Sequence, residues 1–230
     1  MNEMAPGQAV LLDIDGTLLD SNDAHAQSWV EVFARHGEPI TFERVRPLIG
    51  LGSDKLLAQL LELAEEDPFA QRLLNERREL FLDRHLSRLQ PTRGARALVE
   101  RLLSENIQVV VATAAGKEEL QALLRQAGVH DLIALTTTAD EVEQSKPDPD
   151  IVIAAVRKAG VALMDATMIG DTPYDIEAAR AAGTGVIAMR CGGGWSDPAL
   201  AHADAVYEDP EDLLRQWDGS PIGRRLVPAV

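Results

Sequence analysis

Two carboxylates one residue apart, in Asp13-Ile14-Asp15-Gly16-Thr17, stand where the apolar run Ala9-Val10-Leu11-Leu12 ends. On one continuing strand both would face the same side, where burial and mutual repulsion disfavour their ionised forms. A second apolar run ends in another acid pair, Ile169-Gly170-Asp171-Thr172-Pro173-Tyr174-Asp175. Thr113 closes a third run, Val109-Val110-Val111-Ala112, and Lys146 sits in Ser145-Lys146-Pro147-Asp148-Pro149. Each feature has an ordinary structural use. Asp-Gly closes turns, Asp171 would cap the helix that Pro173 begins, a strand-end Thr bonds its own backbone, and a Lys among prolines faces solvent. Together they offer a chemistry. Carboxylates gathered at one edge of a sheet need a cation, and oxygen-only ligands suit Mg²⁺. One carboxylate can attack a phosphoryl group and carry it covalently, while a neighbour moves the proton. The metal, Lys146 and the Thr113 hydroxyl would surround the transferring group with positive charge and donors.

These residues need strands to align them. The runs Ala9–Leu12, Ile107–Thr113, Leu132–Leu135, Ala166–Gly170, Gly185–Met189 and Ala203–Tyr207 read as strands apolar on both faces, the mark of a parallel sheet. Amphipathic stretches at 93–103, 117–127, 150–159, 175–182 and 210–217 alternate with them. The predicted fold is therefore α/β, a Rossmann-like parallel sheet with helices on both faces. Residues 20–90 break the alternation. Ala26, Trp29, Val30 and Phe33, then Leu56, Leu57, Leu60 and Leu61, then Phe69, Leu73, Leu74, Leu80 and Phe81 recur at helical spacing. The expected organisation is a catalytic core of residues 1–18 and 91–217, an all-helical insert over 19–90 hinged near 18–22 and 88–91, and a peripheral tail over 218–230.

Length and composition bound the rest. The 230 residues make one large domain, or one domain with a sizeable insert. A net charge of −15 argues against binding nucleic acid or an anionic membrane surface. The single cysteine, Cys191, forms no internal disulfide, which permits a reducing compartment. Met1–Gln8 has no basic run leading into an apolar one, and no apolar run approaches 18 residues. A cytoplasmic protein, monomeric by default, is expected. Gly50-Leu51-Gly52 lacks the third glycine and the preceding strand of a dinucleotide loop. Cys191-Gly192-Gly193-Gly194-Trp195 reads as a flexible loop beside the site, and no histidine lies near Cys191 to activate it.

The four ordered motifs, Asp13-Ile14-Asp15-Gly16-Thr17, Thr113, Lys146 and Gly170-Asp171 through Asp175, resemble those of the haloacid dehalogenase superfamily, in its branch of small phosphatases with a helical cap. The resemblance spans nearly the whole chain, and the insert falls where that branch carries its cap. It implies a Mg²⁺-dependent phosphatase acting on a small phosphorylated metabolite, phosphoglycolate-like or sugar-phosphate-like. Asp13 would be the nucleophile, and Asp15 would protonate the leaving oxygen and then activate water. Asp13, Asp171 and the Asp15 backbone carbonyl would hold the metal, with Asp175 in its shell. Thr113 and Lys146 would hold the phosphoryl group. Dehalogenases and phosphonate-cleaving members lack the second acid, so Asp15 argues for a leaving group that needs a proton. β-Phosphoglucomutase-like members are the alternative: Asp20-Ser21, His25 and Trp29 resemble their early cap segment, which would bring His25 to the substrate. Against them, Gly170 replaces an acid, and the loop 50–55 lacks their phosphate-holding arginine, a part that Lys55 or Arg46 would have to take. A phospho-aspartate signalling module is a remote third reading, since receiver domains are about half this length and carry no helical insert.

Overall fold

The computed structural model describes residues 7–226. Strands β1 (Ala9–Leu12), β2 (Gln108–Ala112), β3 (Leu135–Thr137), β4 (Ala166–Gly170), β5 (Gly185–Met189) and β6 (Ala205–Tyr207) form one sheet in the order β3-β2-β1-β4-β5-β6. Every neighbouring pair is parallel. Apolar residues on both faces force this burial. Val10 and Leu12 join the cluster under helices Ala95–Ser104 and Lys117–Gln126, and Ala9 and Leu11 join the one under helices Asp150–Ala159 and Pro173–Ala182. Strand order reverses between β1 and β4, the switch point where open α/β sheets place their ligands.

Two boundaries differ from the sequence reading. The third strand lies at Leu135–Thr137 rather than 132–135. Leu132 and Ile133 donate their backbone N–H groups to Val129 O in a turn, and the β-branched Thr136 and Thr137 carry the pairing with β2. The segment from 218, expected to be peripheral, instead packs onto the core over its described part. Ser220 and Ile222 are buried, and Ile222 joins Trp217 and Leu213 in the cluster beneath β1. Removing Trp217 and Ile222 from water against this layer is the favourable term that holds the segment down. Residues 227–230 lie outside the described part of the chain.

Residues 20–90 contribute no strand to the sheet. Helices Asn22–Arg35, Ser53–Leu61 and Pro68–Leu80 enclose a separate apolar core of Trp29, Val32, Phe33, Leu56, Leu57 and Leu73. The chain leaves and re-enters the sheet side by side: Asp20 N donates to Gln90 O at 3.0 Å and Thr92 N to Leu18 O at 3.1 Å. This helical layer therefore hangs over the carboxyl ends of the strands on two adjacent crossings. No helix among the described residues is long and apolar enough to cross a membrane.

Candidate active site

Register puts the acids together. Leu12 pairs with Val111 on one side and Ile169 on the other, so Asp13, Thr113 and Asp171 all follow the ends of adjacent strands. Asp13 N still donates to Ile169 O at 2.9 Å, after which the chain turns. Ile14 O accepts from the N–H groups of Thr17, Leu18 and Leu19, and Gly16 takes a φ of +76°. A Cβ there would lie 2.2 Å from Asn22 Nδ2 and 2.3 Å from Asp171 Oδ2, so both space and backbone require glycine. The continuing-strand reading of Asp13 and Asp15 fails for this reason, and the turn separates their partners.

Asp13, Asp171 and Asp175 each bring one oxygen within 4.8 Å of the others, and all three are buried. Lys146 Nζ, itself 1% exposed, donates to Asp13 Oδ1 at 2.8 Å, to Asp175 Oδ1 at 2.7 Å and to Ala112 O at 3.2 Å. The solvent-facing alternative for this lysine is thereby removed. Burial opposes its charge, but the two carboxylates outweigh that and hold the ammonium protonated. One lysine does not neutralise the cluster. Burial first, against the pull of Lys146 and with repulsion from Asp175 and Asp15, pushes Asp13 up to about 7. Burial, then Asp175 and Asp13, raises Asp171 well above the ordinary carboxylate range. Three buried oxygen donors with excess negative charge and no sulfur or nitrogen fit a hard divalent cation of the Mg²⁺ kind.

Local structure frees Asp171 for this use. Thr172, not Asp171, caps the helix Pro173–Ala182: its hydroxyl accepts from Asp175 N, while Asp175 Oδ2 accepts from Thr172 N at 3.1 Å and Thr172 Oγ1 at 2.7 Å. That capping box also aims the other oxygen of Asp175 at Lys146. Thr113 Oγ1 accepts from Ala115 N at 3.0 Å, the local bond expected of a strand-end threonine, which leaves its proton to donate. Cys191 takes no part. Burial and then Asp171 push its thiol up to about 12, and it donates to Gly16 O.

Asp15 turns toward the helical layer. Its Oδ1 accepts from Ser21 Oγ at 2.5 Å and lies 2.8 Å from His25 Nε2. Arg77 Nη1 donates to His25 Nδ1 at 3.2 Å, which makes Nε2 the nitrogen that donates to Asp15. Arg77 in turn donates to both oxygens of Glu119, at 2.7 and 3.2 Å, and His25 stacks on Phe81 at 4.0 Å. A buried file of charge thus runs from the sheet edge through the insert and back to the core. Burial opposes ionisation of Asp15, yet His25, Ser21 and Arg77 outweigh it and hold the carboxyl below its ordinary value. His25→Ala removes the strongest of these partners, so the Asp15 pKa rises. Carboxyl-carbon NMR of Asp15 across pH reads this shift; a midpoint unmoved in the variant would contradict the electrostatic role of His25.

Between sheet edge and insert lies a cleft of about 50 Å³, lined by Asp13, Asp15, His25, Trp29, Leu51 and Arg77 among others. Lys55 and Arg46, the other two candidate substrate cations, are not part of its wall. Lys55 Nζ donates to Ser145 O at 2.5 Å and to Asp148. Arg46 Nε donates to Asp23 at 2.6 Å, and its Nη2 to the Gly192 and Gly193 carbonyls. Both clasp the insert to core loops, because each finds an acid or a run of carbonyls nearer than the cleft. Sequence reasoning missed Asn22, Arg77 and Glu119, and marked Ser21 only as part of a resembling segment. Asn22 Nδ2 donates to Asp171 across 149 positions, and Arg77 meets Glu119 across 42, separations that no local pattern announces.

A family model described as Haloacid dehalogenase-like hydrolase matches residues 10–189. The N-acetylmuramic acid 6-phosphate phosphatase of Pseudomonas aeruginosa is 30% identical over 220 residues, 92% of this chain and 95% of the relative. A phosphoglycolate phosphatase of Xanthomonas campestris is 32% identical over 213 residues, 90% of this chain and 94% of the relative. The chain covers 18% of a longer relative, protein SUPPRESSOR OF QUENCHING 1 of Arabidopsis thaliana, at 31% identity over 79% of its own length. Among solved structures, a hydrolase from Pseudomonas syringae superposes with a TM-score of 0.85 at 30% identity, covering 92% of this chain and 98% of that one.

Proposed function

The chain belongs to the haloacid dehalogenase-like hydrolases, and on that premise we propose that it is a Mg²⁺-dependent phosphatase. Its substrate would be a small phosphomonoester of a sugar or a short hydroxy acid, hydrolysed through an acyl phosphate on Asp13. The observation that carries this reading is the buried cluster of Asp13, Asp171 and Asp175 around Lys146 at the switch point of the sheet. The substrate class is supported by the relatives named for phosphoglycolate and for a 6-phosphorylated sugar acid.

Asp13 supplies the attacking carboxylate oxygen in line with the leaving group. Lys146 and the Thr113 hydroxyl hold the equatorial oxygens, and Lys146 offsets the repulsion between Asp13 and Asp175. Asp13, Asp171 and Asp175, with the Asp15 carbonyl, would hold Mg²⁺, which when bound offsets the negative charge of acids and phosphate together. Asp15 donates a proton to the departing alkoxide and, once ionised, takes one from water that cleaves the acyl phosphate. Its hydrogen bonds to Ser21 and His25 favour the second of these states. The insert acts as a cap that excludes water. The cleft has room for a few water-sized groups, so the cap must open to admit substrate.

The mutase alternative needs a cation for a second phosphate. Arg46 and Lys55 are engaged by core loops, and Arg77 by Glu119, which favours hydrolysis. Phosphorus NMR on a hexose 1-phosphate separates the two: free phosphate is expected, and a 6-phosphate product would favour the mutase. Hydrolysis of an aryl phosphate is expected to stop with chelator and return with Mg²⁺. A chain inert toward every small phosphomonoester in Mg²⁺ would overturn the proposal.

A further inference from the structure

We propose that Asn22 is a positioning residue for Asp171, and that a divalent cation bound at the acid cluster thereby fixes the first turn of the helical insert. The inference rests on the Mg²⁺ reading of that cluster. Asn22 is the first residue of helix Asn22–Arg35 and is 1% exposed. Its Nδ2 donates to Asp171 Oδ2 at 2.7 Å and to Gly192 O at 3.1 Å, while Thr17 Oγ1 donates to Asp171 Oδ1 at 3.3 Å. Both oxygens of the acid are thus oriented, one from the turn after β1 and one from the insert. Fixing a ligand's oxygens from behind is how outer partners tune metal affinity.

Two further observations narrow the role. Asn22 Oδ1 is buried and meets no donor in the protein; the water carried by a hydrated Mg²⁺ is the kind of donor it lacks. The pair also lies close against two glycines. A Cβ on Gly16 would lie 2.2 Å from Nδ2, and one on Gly192 would lie 2.8 Å from Nδ2 and 1.8 Å from Asp171 Oδ2, so the Asn22–Asp171 bond occupies space that a side chain at either position would take. The same Gly192 carbonyl accepts from Arg46, whose Nε holds Asp23, the residue after Asn22. Metal ligand, core loop and insert therefore share one set of hydrogen bonds. If the docked Asn22 favours the bound cation, the bound cation must equally favour the docked Asn22.

Calorimetry with MgCl₂ alone tests this without substrate. Asn22→Ala is expected to weaken Mg²⁺ binding by about tenfold or more. Asn22→Ser, polar but too short to reach Asp171, should match it and guards against a folding defect in the alanine variant. Amide exchange gives a second readout: Mg²⁺ should slow exchange over residues 22–26 in the wild type and not in the variants. A purely structural asparagine would lower the melting temperature and leave both readouts unchanged. Unaltered Mg²⁺ affinity in a folded variant would overturn the inference alone. A wild-type chain that binds no Mg²⁺ would overturn it together with the metal site.

Discussion

Asp13→Asn is expected to abolish hydrolysis of an aryl phosphate while leaving the fold intact, and above pH 7 to make the metal-free protein more stable. The amide nitrogen offers no lone pair for attack, so kcat should fall by at least about 10⁴-fold, the scale of losing a covalent nucleophile. The stability arm follows from the burial that pushes Asp13 up to about 7. The unfolded chain releases that proton near the ordinary carboxyl value of 3.8, so between these two values the folded state binds more protons and stability falls as pH rises. Asparagine carries no such proton, and its carbonyl still accepts from Lys146. The variant's advantage should therefore grow from pH 4 to pH 7 and then level off. Chemical denaturation across pH, without divalent cation, measures it. Substantial residual turnover would sink the nucleophile assignment, and a stability gap that shrinks with pH would sink the electrostatic one.

Lys146→Met should cost both stability and activity. Among the described residues the ammonium is the one protein cation hydrogen-bonded to the acid cluster, contacting Asp13 and Asp175 at 2.8 and 2.7 Å with almost no solvent. Removing one partner of a buried pair costs about 3–5 kcal/mol, because the remaining charges are left uncompensated. Part of that loss should return with Mg²⁺, which supplies positive charge to the same oxygens. Activity should not return, since the contact to the phosphoryl oxygens is gone; a loss of about 10³-fold in kcat/KM is expected for one such electrostatic donor. Lys146→Arg should not rescue, as a planar guanidinium does not fit a pocket that holds a compact ammonium. Thermal melts with and without Mg²⁺ check the first part. A variant as stable as the wild type without metal would show that the cluster tolerates its own charge.

Much of the site was legible because chemistry and strand ends coincide. Asp13, Thr113 and Asp171 each close a run of buried apolar residues, and in a parallel sheet such ends share an edge. The helical insert was equally legible, since its apolar residues recur at turn spacing and lack the β-branched density of the core. What could not be read were partners. Arg46 and Lys55 looked like substrate cations because composition gives charge without direction; tertiary contacts turned them toward Asp23 and Asp148. Arg77 and Glu119 carry no local signal, 42 positions apart, and the structure buries them face to face. The third strand slipped because Leu132 and Ile133 satisfy the apolar criterion while their backbone turns.

By itself the sequence determined the fold class, the order of the motifs and the identity of the acids and lysine. These depend on local periodicity and on residue types that few structural needs explain together. Tertiary structure alone decided which oxygen faces which cation, why Asp171 is free of capping duty, and that Asn22 and His25 reach from the insert into the acid cluster and to Asp15. Those outcomes depend on strand register and on how the insert lies over the sheet. Both are set by packing between residues distant in sequence, which no local pattern encodes.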